Sequence, residues 1–222
     1  MHRLPTNRNL SLYDEATYME LPLMIGKGPF IEQYLDILMR TIDLALDQYP
    51  RILAFRVDLH LPQGVDLPDY VYTNEVISDF IESYKAKIKH NRDMARRQRK
   101  YIHDCRVRYV WAREIGEGGQ PHYHLLIILN RDAYYTVGRL ASDADNMINR
   151  MQEAWASALG LFVDETRALV HICENAEYRV DRCPRPGDED ELPALFERAS
   201  YLCKAATKSY GYRHHGFGHS RR

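Results

Sequence analysis

An α+β fold with a ferredoxin-like strand order is what these 222 residues predict, and three observations predict it. Apolar and polar residues alternate cleanly in "RILAFRVDLHLP". Apolar stripes at helical spacing fill the longer segments between the candidate strands. The segments follow one another as strand, helix, strand, strand, helix, strand, helix, an order that contains the β-α-β-β-α-β arrangement of ferredoxin-like sheets.

After an extended N-terminal arm, "GPFIEQYLDILMRTIDLALDQYP" places Ile31, Tyr34, Leu35, Leu38, Ile42, Ala45 and Leu46 at helical spacing. Pro29 suits the first turn of such a helix and Pro50 marks its stop. In the strand that follows, Leu53, Phe55, Val57, Leu59 and Leu61 share one face, while Arg56, Asp58 and His60 share the other. One buried face is the expectation. Residues 74–103 turn helical again, with Ile77, Phe80, Ile81, Tyr84 and Ile88 as the stripe and a second half that is polar nearly all round. Two strands, 106–115 and 122–130, are joined by a turn rich in glycine at Gly116, Gly118 and Gly119. A helix over 142–159, a strand at "RALVHICE", the loop "DRCPRPGDEDE" and a last helix over 192–210 complete the chain.

The composition, 45% hydrophobic and 27% charged, is that of a globular domain with one sizeable core. The expected organisation is an arm and helix over 1–49 packed on a domain spanning 50–222. No run of eighteen apolar residues is present, and the N-terminus lacks the apolar stretch of a signal peptide. The expectation is a soluble, cytoplasmic protein. Cys105, Cys173, Cys183 and Cys203 show no C-x-x-C spacing, which argues against a zinc knuckle or disulfide framework and for reduced thiols. A formal net charge of −1 means that any nucleic-acid contact must come from a local patch.

The chemistry gathers around "REIGEGGQPHYHLLIIL". His122 and His124 lie two apart on a strand and therefore point to one face. Glu114 lies on the preceding strand. An odd-numbered loop pairs it with His122 or His124 on that same face, whereas a two-residue turn would oppose it to Tyr123. Two imidazoles and a carboxylate with positions left open suit a divalent ion such as Mg²⁺, Mn²⁺ or Zn²⁺. In the last helix, Leu192, Leu195, Phe196, Ala199, Leu202, Cys203 and Ala206 form the apolar stripe. Tyr201 and Lys204 fall off it, beside Glu197 and Lys208. A phenol is a weak nucleophile at neutral pH, and a lysine one turn away can stabilise the phenolate or charge developing on a phosphate. A second Y-x-x-K, Tyr84 and Lys87, places its tyrosine in an apolar stripe and reads as core packing.

"KAKIKHNRDMARRQRKYIHDCRVR" is strongly basic, and candidate phosphate contacts in it are Lys85, Lys89, Arg92, Arg96, Arg97, Arg99 and Lys100. Lys208 and Arg213 belong to a second basic group interleaved with Tyr210, Tyr212 and Phe217. Cations with aromatic faces between them are how single strands are held, although a charged helix face is also an ordinary solvated surface. The acidic "GDEDE" complements the N-terminus of the last helix.

"PHYHLLIIL" followed by a helical "YLCK" resembles the HUH endonucleases, particularly the single-tyrosine rolling-circle replication initiators of filamentous phages and their prophage relatives. The closing "GFGHSRR" is similar too. The resemblance covers roughly residues 50–210. It implies a central antiparallel sheet of about five strands flanked by helices, with His122, His124 and Glu114 as ligands of Mg²⁺ or Mn²⁺ and Tyr201 with Lys204 as the catalytic pair. It implies metal-dependent nicking and joining of single-stranded or hairpin origin DNA through a 5′-phosphotyrosine, with a host helicase for unwinding and no membrane partner. Ala205 occupies the place of a second tyrosine, so the two-tyrosine subclass is not supported. The strand "LAFRVDLHL" occupies the place of the family's first motif without matching it residue by residue. Two other readings stand beside this one: a non-catalytic DNA-binding regulator on the same scaffold, and an HUH relaxase or transposase.

Overall fold

A computed structural model describes residues 2–98, 101–116, 118–138, 146–208 and 214–221. The N-terminal arm is strand, not coil. β1 (His2–Leu4), β2 (Asn7–Tyr13) and β5 (Phe30–Ile31) pair antiparallel, and β3 (Thr17–Tyr18) with β4 (Leu21–Pro22) makes a small ribbon between them. Helix α1 (Glu32–Gln48) starts only after β5. Pro29 therefore precedes a strand instead of opening the helix, a correction to the sequence expectation. Residues 30–31 are extended because their backbones are taken up by the ladder with Leu12 and Tyr13.

The central sheet contains β6 (Arg51–Leu59), β7 (Arg108–Ile115), β8 (Pro121–Asn130), β9 (Val170–Asp181) and β10 (Phe217–His219) in the order β10-β7-β8-β6-β9. Every neighbouring pair is antiparallel. Without β10 this is the ferredoxin-like order, and the fold class is the predicted one. Two crossover helices, α2 (Glu75–Gln98) and α3 (Met147–Leu159), lie over one face. There Phe55, Val57, Tyr123, Leu125, Ile127, Phe80, Tyr84 and Trp155 form the first core cluster. Tyr84 is buried, as its stripe predicts, and its hydroxyl meets Met147 Sδ at 3.3 Å. The short helix α4 (Val163–Thr166) links α3 to β9.

The opposite face is not the solvated one that alternation in β6 suggested. Helix α1 and α5 (Leu192–Ser200) cover it, and Ile52, Ala54, Val110, Ala112, Leu126, Ile128, Leu38, Ile42 and Phe196 form a second buried cluster. Small and β-branched residues at the alternate positions let helices approach both faces. Toward one end of this face the side chains turn polar, at Arg56, Asp58, Glu114, His122 and His124.

The last helix is shorter than predicted. It ends at Ser200, tightens into a 3₁₀ turn over Tyr201–Cys203, and Lys204 turns extended at φ −56°, ψ 140°. Lys204 then bridges to Phe30, and the Ala205 amide donates to the Pro29 carbonyl at 2.8 Å. This pairing with the N-terminal segment replaces the helical hydrogen bonds that would have continued α5. The start of the α5 segment follows the acidic loop as expected, with the Asp190 side chain accepting from the Leu192 amide at 3.0 Å. Residues 139–145, where the sequence pattern begins the α3 helix, lie outside the described residues.

Candidate metal and tyrosine site

The parity argument is met by the β7–β8 register. Ile115 pairs with Pro121, so the intervening loop has an odd number of residues and Glu114 stands opposite His122, two residues from His124. Gly119 adopts φ +76° in this loop, and the Gly116 amide donates to Gln120 at 3.0 Å. The left-handed residue is what lets the chain turn back with that register.

One donor atom from each of Glu114, His122 and His124 lies within 4.8 Å of the others. Glu114 Oε2 is 3.4 Å from His124 Nε2 and 3.9 Å from His122 Nε2. Donors about 2.1 Å from a tetrahedral ion are separated by about 3.4 Å, so the spacing is near that of a ligand set. The adjoining strand supplies what orients it. Asp58 is opposite His124 in the β6–β8 ladder, and its Oδ1 is 2.7 Å from His124 Nδ1. With Nδ1–H donated to the carboxylate, Nε2 carries the lone pair that a metal needs. His124 Nε2 and Glu114 Oε1 are buried with no hydrogen-bond partner. Unsatisfied acceptors of this kind aimed into one cluster fit a cation.

The electrostatics are set by two cations as well. Lys204 Nζ is 2.9 Å from Glu114 Oε2 and Lys208 Nζ 3.6 Å from Oε1. Burial pushes the Glu114 carboxyl up, but the His124 contact and the two lysines outweigh it and hold the pKa down to about 2. Burial lowers the Lys208 ammonium to about 8 despite Glu114. For Asp58, burial is again overcome, by His124 and Arg56, and the carboxyl sits well below the usual range. His124 is raised: its two carboxylate contacts outweigh desolvation. His122, stacked on His60 at 5.6 Å between centroids, is lowered by burial and by the neighbouring His124.

Tyr201 is brought to the same place by the 3₁₀ turn. Its ring meets His124 edge to face at 5.1 Å, and its hydroxyl is 2.6 Å from Lys204 Nζ. Arg56 lies over the ring at 5.3 Å and Lys27 at 5.9 Å. The sequence-predicted Glu114, His122, His124, Tyr201 and Lys204 therefore converge on one face. Asp58, Arg56 and Lys27 were not singled out by the sequence. For Asp58 the available signal was its polar position in an apolar strand, in phase with Arg56 and His60.

The basic residues divide. Lys208, a predicted DNA contact, has no exposed side-chain surface and points at Glu114, so it belongs inside this site instead of on a binding surface. Lys85, Lys89, Arg92 and Arg96 line a pocket near the beginning of β7, together with Arg106 and Tyr109. Arg97 is exposed nearby on α2. Between the Arg108–Ile128 and Glu114–His122 pairs the ladder runs six residues, so this end is about 20 Å from the histidines. Several of its charges are already paired: Lys85 with Glu82 at 2.8 Å, Lys89 with Asp93 at 2.6 Å, and Arg96 with Asp93 at 3.0 Å. Arg92 lies over the Tyr134 ring at 4.3 Å. Arg99, Lys100 and Arg213 lie outside the described residues. Among the described residues, no helix is long and apolar enough to cross a membrane.

Fold and site together define an α+β protein with a five-stranded antiparallel sheet and a His–His–carboxylate cluster beside a lysine-paired tyrosine. The chain belongs to the family described as YagK/YfjJ C-terminal domain, which matches residues 13–220. It is 36% identical over 196 residues to the uncharacterized protein YagK of Escherichia coli K12, covering 86% of this chain and 93% of that protein. It is 33% identical over 202 residues to the uncharacterized protein YfjJ of the same strain, covering 87% and 96%. Among solved structures, the N-terminal nuclease domain of the minute virus of mice non-structural protein-1 aligns with 70% of this chain and 76% of that one. The identity is 13% and the TM-score 0.27.

Proposed function

We propose that this chain is an HUH-type endonuclease that nicks and rejoins single-stranded DNA through Tyr201, initiating rolling-circle replication of a phage, plasmid or prophage element. The observation that carries the reading is the placement of Tyr201 against His124, one ring from the Glu114–His122–His124 cluster. In the reaction the Tyr201 oxygen forms a bond to phosphorus and the bond from phosphorus to the 3′ oxygen breaks. The phenol proton passes to solvent and the departing 3′ oxygen takes one up. A 5′-phosphotyrosine and a free 3′-hydroxyl result, and resealing is the reverse. Lys204, with its ammonium on the Tyr201 oxygen, stabilises the phenolate. Asp58 holds the His124 ring in one orientation. His122, His124 and Glu114 would hold a divalent ion, Mg²⁺ or Mn²⁺, whose chemistry is to polarise the scissile phosphate.

The basic end of α2 would contact the duplex arm of a hairpin origin. At about 3.4 Å per base pair, 20 Å is about six base pairs from the nick. A host helicase would unwind the template, and the work would be done in the cytoplasm. A second reading, a DNA-binding regulator without catalysis, is favoured by one feature: Lys204 and Lys208 already neutralise Glu114. A denaturing gel of the protein with labelled single-stranded origin DNA and Mn²⁺ separates the two. The endonuclease forms an EDTA-sensitive covalent adduct that Tyr201→Phe abolishes while DNA binding persists. Full nicking by Tyr201→Phe or by His122→Ala would sink the assignment, and tight binding with no adduct selects the regulator.

A further inference from the structure

The polar row that begins at His124 does not stop at Asp58. On the other side of β6, Asp58 is opposite His171 of β9, so His124, Asp58 and His171 stand side by side across three strands on one face. Cys173 follows His171 by two residues and shares that face. Its Sγ is 3.6 Å from Asp58 Oδ2, and one donor atom each from Asp58, His171 and Cys173 lies within 4.8 Å of the others. The two carboxylate oxygens have separate partners: Oδ1 holds His124 at 2.7 Å and Arg56 at 3.2 Å, and Oδ2 faces Cys173. The Cys–x–x–Cys rule misses this group because its ligands come from two strands.

We infer that Asp58, His171 and Cys173 form a second metal site that takes a thiophilic divalent ion such as Zn²⁺, beside Glu114–His122–His124 and distinct from it. A thiolate, an imidazole and a carboxylate are a softer set than two imidazoles and a carboxylate, and favour Zn²⁺ over Mg²⁺ or Mn²⁺. Three protein ligands leave a fourth position open. Entry is from solvent, because β9 is the sheet edge and His171 is exposed. When the metal–sulfur bond forms, the Cys173 S–H bond breaks and the proton goes to the buffer. The thiolate and Asp58 then balance the charge of the ion. The inference does not depend on the nickase reading, because it rests on the donor atoms of Asp58, His171 and Cys173 and is read out without DNA cleavage.

Cobalt(II) titration of the metal-free full chain tests it, because a thiolate ligand gives a sulfur-to-cobalt charge-transfer band that imidazoles and carboxylates do not. The wild type should show the band, and His122→Ala, which alters only the neighbouring cluster, should keep it. Cys173→Ser, with an unchanged circular-dichroism spectrum, should lose it, and His171→Ala should weaken cobalt affinity at this site by about 10-fold or more. No band in the wild type, or a band that survives in Cys173→Ser, overturns the assignment.

Discussion

Replacing Glu114 by Gln in metal-free protein removes the carboxylate that faces both Lys204 and Lys208. The geometry predicts the size of the effect. Glu114 is almost fully buried, and its carboxyl is held at about 2 against an ordinary 4.5. That difference corresponds to about 3 kcal/mol, and solvent screening near the mouth of the site reduces it to about 2 kcal/mol. The folded-state pKa is the depressed one, so this stability is fully present above about pH 4.5. It is lost as the pH falls through the window from 4.5 toward 2. Glu114→Gln should therefore melt about 4–8 °C below wild type at pH 7 in EDTA, at about 2–4 °C per kcal/mol for a chain of this size. Wild type and variant should converge as the pH drops through that window. The assay is thermal melting followed by circular dichroism across pH. A variant that melts with the wild type at pH 7, or a difference that persists unchanged at pH 2.5, refutes the reasoning.

Two further outcomes follow from packing and burial. A Cβ on Gly218 would lie 2.5 Å from Trp111 Cε2 and Cζ2, so Gly218→Ala should destabilise by about 1–3 kcal/mol; an unchanged denaturation midpoint would show that β10 gives way freely. In mass-spectrometric alkylation at pH 8, exposed Cys183 should react first. Cys105, half-buried and with its thiol pushed up to about 12 by burial, should react more slowly, and Cys203, fully buried and also raised, should wait for unfolding. Labelling of Cys203 as fast as Cys183 would contradict the fold around α5.

Period and parity made much of this legible in the sequence. The β-α-β-β-α-β order came from strand alternation and helical stripes, and loop parity offered a shared face for Glu114 with His122 or His124, of which the ladder takes His122 as the direct partner. The Tyr84 decoy was recognisable because its stripe was apolar on both sides. What escaped notice depends on long-range pairing. Strand β10 is three residues long and exists because it has β7 to pair with. The end of α5 at Ser200 follows from a bridge to Phe30, far away in sequence, and no local propensity announces it. Lys208 looked like a surface cation because helical continuation would have put it outside; once the helix stops, it turns inward onto Glu114. The covered second face of β6 was hidden because Ile52 and Ala54 share their side with Arg56 and Asp58, and alternation alone reads such a side as wet.

The turn that carries Tyr201 is gripped by the beginning of the chain. The Met24 amide donates to Ser200 Oγ at 3.0 Å, Ala205 donates to Pro29, and Lys27 lies over the tyrosine ring. During synthesis the first thirty residues emerge long before their partners, and the turn cannot be set until residues near 205 leave the ribosome. Until then the histidines, Asp58 and Glu114 can assemble on their ladder without a tyrosine beside them. On the nickase reading proposed above, a nascent chain would carry its ligand set before its nucleophile, and timing alone would separate metal capture from the ability to form a covalent bond.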